Sequence, residues 1–209
     1  MINILCYGDS NTYGFIPAGG RYNEGQRWTR LLQRDLGESY YVIEEGLNGR
    51  TTVFDDPDIK YSKGIDYLEM CISSHEPLDL VVLMLGTNDA KVAVFNAGPC
   101  EIAQGIESMI KLLKEPNIYN GDILIISPIH IRDSILESEY VESFGGLEGA
   151  KISRALAPEL KKLAKEYKCY FLDAADYAKA DDRDAIHLGE DGHKSLANAL
   201  AEKIKSIYD

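Results

Sequence analysis

The sequence lacks an excess of positive charge, an apolar run of membrane length and any pattern among its cysteines, and each absence closes a class of function. Lysine and arginine number 22 against 34 aspartates and glutamates, a formal charge of −12. So acidic a body repels phosphate backbones and anionic lipid, so neither nucleic acid nor a membrane surface is an expected partner. No apolar stretch approaches the ~20 residues of a transmembrane helix. Residues 1–7 lack the basic flank and small-residue cleavage site of a signal peptide, which predicts a cytoplasmic protein. Cys6, Cys71, Cys100 and Cys169 are far apart and form no C-x-x-C, so free thiols are expected rather than disulfides or a zinc site. No repeat, low-complexity tract or Pro/Ser-rich linker divides the chain. Its 209 residues, 45 % hydrophobic and 27 % charged, suit one domain spanning 1–209. Such a domain buries roughly 70 % of its unfolded surface around one core.

What the sequence does have is alternation. Short apolar runs predict strands at Ile2–Tyr7, Tyr40–Glu44, Leu78–Leu85, Asp122–Ser127 and Cys169–Leu172. Two of them, Leu80-Val81-Val82-Leu83-Met84-Leu85 and Ile123-Leu124-Ile125-Ile126, are uninterrupted, as strands buried on both faces of a parallel sheet are. Between the runs lie stripes of helical period: Trp28, Leu31, Leu32 and Leu36; Ile102, Ile106, Met109, Ile110 and Leu113; Ile152, Leu156, Leu163 and Tyr167; Leu196, Leu200, Ile204 and Ile207. Strands alternating with helices mean right-handed crossovers and helices on both sheet faces. The expected fold is a three-layer α/β/α sandwich with about five parallel strands. Ligands in such folds bind beyond the carboxyl ends of the strands, so the loops there are where chemistry belongs.

Those loops carry Gly8-Asp9-Ser10-Asn11 after the first strand, Glu45-Gly46-Leu47-Asn48-Gly49-Arg50 after the second and Gly86-Thr87-Asn88-Asp89 after the third. Asp184-Ala185-Ile186-His187 precedes the last helix. Singly, each reads as a turn or a helix cap. Together they supply an acyl-transfer site: Ser10 as nucleophile, His187 as base, Asp184 as orienting carboxylate and Asn88 with loop amides as an oxyanion trap.

In this order the four blocks resemble those of the SGNH (GDSL-type) hydrolases. The strings Ile43-Glu44-Glu45-Gly46-Leu47, Arg50-Thr51-Thr52 and Met84-Leu85-Gly86-Thr87-Asn88-Asp89 are similar to the arylesterase/acyltransferase and acetylxylan-esterase branch. The resemblance implies a flavodoxin-like sandwich and a Ser10–His187–Asp184 triad; no cofactor is expected, and no metal, because the histidines and acids show no ligand spacing such as H-E-x-x-H. It further implies an oxyanion hole made of the Ser10 amide, an amide of the second block and the Asn88 side chain. Gly49 is preferred over Gly46 for the second donor, because a residue without Cβ turns its amide toward the tetrahedral oxygen at little steric cost. The branch also implies a homo-oligomer acting on a small-molecule ester.

Other residues weigh against their plainer readings. His193 is expected to be solvated at the start of the last helix, and His75 to lie in a polar turn at the wrong edge of the sheet. His130 follows the fourth strand on the correct edge and, with Tyr13, Phe15 and Ile186, is a candidate pocket residue. Asp9 and Asp89 are expected to accept loop amides, and Asp173 to cap a turn. Residues 128–146 have few helical signals and are read as a lid or subunit contact near Ser10. The leading expectation is a serine carboxylester hydrolase of short-chain, acetyl-type esters, with acyl transfer to alcohols where water is excluded. A carbohydrate (acetylxylan-type) deacetylase is the alternative. A flavin- or nucleotide-binding module is a distant one, since no G-x-G-x-x-G or G-x-x-x-x-G-K-[ST] is present.

Overall fold

The computed structural model describes residues 1–17 and 19–208. Five strands, β1 (Ile2–Gly8), β2 (Tyr40–Gly46), β3 (Leu80–Met84), β4 (Asp122–Ser127) and β5 (Tyr170–Asp173), pair in parallel in the order β2-β1-β3-β4-β5. The helices are α1 (Ser10–Tyr13), α2 (Trp28–Leu36), α3 (Ile65–His75), α4 (Val92–Phe95), α5 (Pro99–Leu113), α6 (Val141–Phe144), α7 (Leu147–Tyr167) and α8 (Glu190–Tyr208). This is the expected α/β/α sandwich.

Strand side chains alternate between two cores. Ile4, Cys6, Leu80, Val82, Met84, Leu124 and Ile126 face α2 and α8, meeting Trp28, Leu32, Leu196 and Leu200. Leu5, Tyr7, Val81, Leu83, Ile123 and Ile125 face α3, α5 and α7, meeting Leu68, Ile72, Ile106, Met109 and Leu156. Being buried on both sides is why these strands read as unbroken apolar runs. The chain steps outward from β1 to β2 and then returns past β1 to β3. That reversal opens a crevice between the carboxyl ends of β1 and β3, where the Ser10 and Asn88 loops begin.

Two expectations change. Helix α3 was not legible, because its apolar positions Leu68, Cys71 and Ile72 span little more than one turn and Met70 beside them is 65 % exposed. Residues 128–146 are not an irregular loop. They hold a short 3₁₀ turn, Asp133–Glu137, and α6, with Ile131, Ile135 and Phe144 fully buried. Among the described residues no helix is long and apolar enough to cross a membrane.

Candidate active site

Asp9 caps α1, its Oδ1 accepting the Asn11 amide at 2.9 Å, and Ser10 is the first residue of that turn. The other half of the site lies at the far end of the chain. Oδ1 of Asp184 accepts the amides of Ile186 and His187 at 3.1 and 3.0 Å, winding residues 184–187 into a tight turn with Ala185 at φ 71°. This turn sets Oδ2 of Asp184 2.7 Å from Nδ1 of His187.

Asn11 joins the two ends. Its Nδ2 donates to the Ile186 carbonyl at 3.2 Å and its Oδ1 accepts the Leu188 amide at 2.8 Å. The Trp28 indole in turn donates to the Asn11 carbonyl at 3.0 Å. The Arg132 amide donates to the Ala185 carbonyl at 3.0 Å, and the Ser138 hydroxyl to the Asp184 carbonyl at 2.8 Å. So clamped, Nε2 of His187 lies 2.8 Å from Oγ of Ser10, across 177 residues of sequence. All three side chains are buried.

Burial acts to raise the Asp184 carboxyl. The hydrogen bond and charge of His187, with the two turn amides, outweigh burial and hold it below the ordinary carboxylate range. An ionised Asp184 on Nδ1 keeps the ring proton there and leaves Nε2 free to accept the Ser10 hydroxyl proton. Asp9 and Asp89 show the opposite balance. Burial pushes each up to about 6, despite bonds from the Asn11 amide to Asp9 and from the Thr52 hydroxyl and amide to Asp89.

Asn88 stands across the crevice. Its Nδ2 donates one hydrogen to the Arg50 carbonyl at 3.0 Å, which fixes the amide plane and leaves the second hydrogen free. Arg50 is held by Nη1 bonds to the Gly8 carbonyl at 2.9 Å and to the Glu45 carbonyl, with its guanidinium 4.0 Å from the Tyr7 ring centre. Gly49 lines the cavity at φ +78°, where a Cβ would meet Ile59 at 2.7 Å. Gly46 is different: a Cβ there would strike the Tyr13 backbone nitrogen at 2.1 Å, so Gly46 lets α1 lie against β2. The amides of Ser10 and Gly49 have no acceptor among the described residues.

Ser10, His187, Asn88 and Gly49 border a cavity of about 440 Å³. Phe15, Ile59, Val94, Tyr140, Phe144 and Ile186 form its apolar walls, and Asn48, Asp58 and the Asp56–Lys91 ion pair, 2.7 Å long, its polar side. The Phe15 and Tyr140 rings lie 4.6 and 6.0 Å from the His187 ring. Residues 128–146 thus supply one wall of the cavity.

Two expected pocket residues lie elsewhere. Tyr13 faces away beneath Arg21, whose guanidinium sits 4.2 Å from its ring. His130 falls between Ile129 and Ile131, which enter opposite cores, and so turns outward to a separate groove with Arg154 and Asp173. Asp173 does cap a turn, accepting the Ala175 amide at 3.1 Å. His193 is buried rather than solvated, because α8 packs on α2 and its Nδ1 accepts the Trp28 amide at 3.3 Å. His75 ends α3 rather than lying in a turn. Asn11, Asp56 and Lys91 were not anticipated. Asn11 had a signal in its place beside Ser10, whereas nothing in the sequence pairs Asp56 with Lys91.

A hydroxyl, an imidazole and a carboxylate in relay beside a cavity form the arrangement that performs nucleophilic acyl transfer. The chain belongs to the GDSL-like lipase/acylhydrolase family, whose model matches residues 6–195. It is similar to solved structures of a carbohydrate acetylesterase, Est24, from Sinorhizobium meliloti (35 % identity, TM-score 0.90, 100 % of both chains covered). It is also similar to the native aryl esterase of M. smegmatis (35 % identity, TM-score 0.90, 99 % of each chain). A further carbohydrate acetylesterase family member from S. meliloti superposes with a TM-score of 0.93 at 33 % identity over 99 % of each chain. A comparison with curated protein sequences returns no match.

Proposed function

We propose that this carboxylic ester hydrolase cleaves short-chain, acetyl-type esters through an acyl-enzyme on Ser10. The relay of 2.8 and 2.7 Å from Ser10 through His187 to Asp184, at the edge of the cavity, carries the reading. Oγ of Ser10 attacks the ester carbonyl carbon as its proton passes to Nε2 of His187. The carbonyl oxygen becomes an oxyanion, taken by the Ser10 and Gly49 amides and the free Asn88 hydrogen. The tetrahedral centre collapses, the C–O bond to the alcohol breaks, and His187 returns the proton to the leaving oxygen. Water then repeats the sequence on the acyl-enzyme, releasing the acid and restoring Ser10. An alcohol in place of water gives acyl transfer.

A cavity of about 440 Å³ must hold acyl group and alcohol together, with Phe15 and Tyr140 against His187, which supports small acyl groups. The second reading, a carbohydrate deacetylase, is favoured by the polar side at Asn48, Asp58 and Asp56–Lys91, which offers donors and acceptors to sugar hydroxyls. The acetylesterase relatives point the same way. Four free cysteines support a cytoplasmic site of action, and exposed Val94, Leu136 and Leu147 support a homo-oligomer. Light scattering tests the latter: a monomeric mass contradicts it. For the substrate, kcat/KM is compared across p-nitrophenyl acetate, butyrate and octanoate, and between aryl acetates and acetylated xylo-oligosaccharides. A steep fall with acyl length is expected, and a preference for octanoate would overturn the reading.

A further inference from the structure

Outside the catalytic cavity, three metal-ligating side chains of different chemistry converge. Glu45 comes from the end of β2, and Cys71 and His75 from α3. A carboxylate oxygen, the Cys71 sulfur and a His75 ring nitrogen all lie within 4.8 Å of one another. We propose that Glu45, Cys71 and His75 form a binding site for a divalent transition metal of the zinc class, separate from the hydrolytic centre.

The local geometry supports a site in several ways. Cys71 and His75 are four residues apart on one helix, so their side chains share a face one turn apart. Nδ1 of His75 lies 3.0 Å from the Cys71 carbonyl oxygen. A ring that donates from Nδ1 to a backbone carbonyl presents Nε2 as a lone pair, the support that metal-bound histidines receive. That Nε2 faces Oε1 of Glu45 at 3.5 Å. The separation is long for a charge-assisted hydrogen bond, about 2.7–2.9 Å. It is close to the roughly 3.4 Å between nitrogen and oxygen ligands of a tetrahedral zinc with bonds of about 2.0–2.2 Å.

The electrostatics agree. A thiolate and a carboxylate with one neutral imidazole balance a dication, so the loaded site is itself electrically neutral. Thiolate with imidazole selects zinc-like ions over magnesium or calcium. The Cys71 thiol gives up its proton to solvent as the metal–sulfur bond forms. The Glu45 and His75 side chains are 21 % and 26 % exposed, which gives an ion a way in and leaves room for a water as fourth ligand. The Glu45 carbonyl also accepts from Arg50, whose own carbonyl holds Asn88, so an ion here would brace the loop that carries Gly49.

The test is titration of the reduced, full-length protein with Co²⁺. One equivalent should bind, with a thiolate-to-cobalt charge-transfer band in the near ultraviolet and visible bands of tetrahedral intensity, and Zn²⁺ should displace it. Cys71→Ser should abolish the charge-transfer band, and Cys100→Ser, at an exposed cysteine, should leave it intact. His75→Ala and Glu45→Gln should each weaken Co²⁺ binding by about tenfold or more. These two keep the test sound should Cys71→Ser fail to fold. A folded wild type without a charge-transfer band, or unchanged Co²⁺ binding in both His75→Ala and Glu45→Gln, would overturn the proposal.

Discussion

His187 and His193 lie six residues apart and are both buried, yet the fold gives them opposite surroundings. Among the described residues no carboxylate acts on His193. Its Nδ1 accepts the Trp28 amide, its Nε2 has no partner among the described residues, and the Tyr22 ring lies edge-on 5.0 Å away. Burial above all, then the charges of His187 and Arg27, push its pKa down to about 3. His187 is as enclosed, but it holds Asp184 on one nitrogen and Ser10 on the other. The carboxylates divide in the same way. Asp9 and Asp89 bond only amides and hydroxyls and are pushed up to about 6, whereas Asp184 lies below its ordinary range. Burial makes an ionisable group inert unless a complementary partner is buried with it. At residues 184–187 one tight turn supplies both members of the pair.

The two histidines should differ most sharply on substitution. His187→Ala, or Ser10→Ala, should lower kcat for p-nitrophenyl acetate by on the order of 10⁶-fold with the melting temperature little changed. His193→Gln should leave kcat within a few-fold of wild type. Equal losses at the two histidines would mean that burial, not pairing, distinguishes them.

Asp184→Asn comes next. Its amide oxygen can still accept the turn amides, but its NH₂ would meet Nδ1 as a donor and force the wrong tautomer. Since His187 is only 5 % exposed, water cannot easily restore that tautomer, and a loss in kcat of about 10³–10⁴-fold is expected. Asn88→Ala removes one proposed oxyanion donor and should cost about 10²–10³-fold in kcat with KM little altered.

The smallest effect is on stability. His193 has a folded pKa of about 3, well below the ordinary imidazole value of 6.5. The unfolded chain therefore binds the extra proton, and the folded state loses stability as pH falls through 6.5. The loss from this residue reaches about 2 kcal/mol at pH 5. His193→Gln should remove that loss, seen as a smaller drop in melting temperature between pH 7 and 5. Asp9 and Asp89 work in the other direction. Their raised pKa values favour the folded state at low pH and cost stability as pH rises from about 4 through 6. Asp9→Asn should therefore steepen the acid loss while His193→Gln flattens it, as melting curves across that range would show.

The strands, the long helices and the four polar blocks were legible because each has a local signature: unbroken apolar runs, helical stripes, and glycine and cap residues at strand ends. Residues that act by long-range contact were not. Asn11 resembles a helix cap until Leu188 and Ile186 arrive from the other end of the chain. His193 resembles a solvated helix-start residue until α2 covers it. His130 was misplaced because the path from Ile129 to Ile131, between two cores, turns it outward. Cys71 and His75 became neighbours of Glu45 only once α3, too weakly striped to read, lay against β2.

In the proposed reaction the Ser10 oxygen, activated by His187, forms the covalent bond to the acyl group. A serine-directed phosphonate, followed by peptide mass spectrometry of the inactivated enzyme, tests it directly. One adduct per chain is expected, on Ser10, absent in Ser10→Ala and formed far more slowly in His187→Ala. Full inactivation with the adduct on another residue, or ester turnover that persists in Ser10→Ala at the wild-type rate, would contradict it.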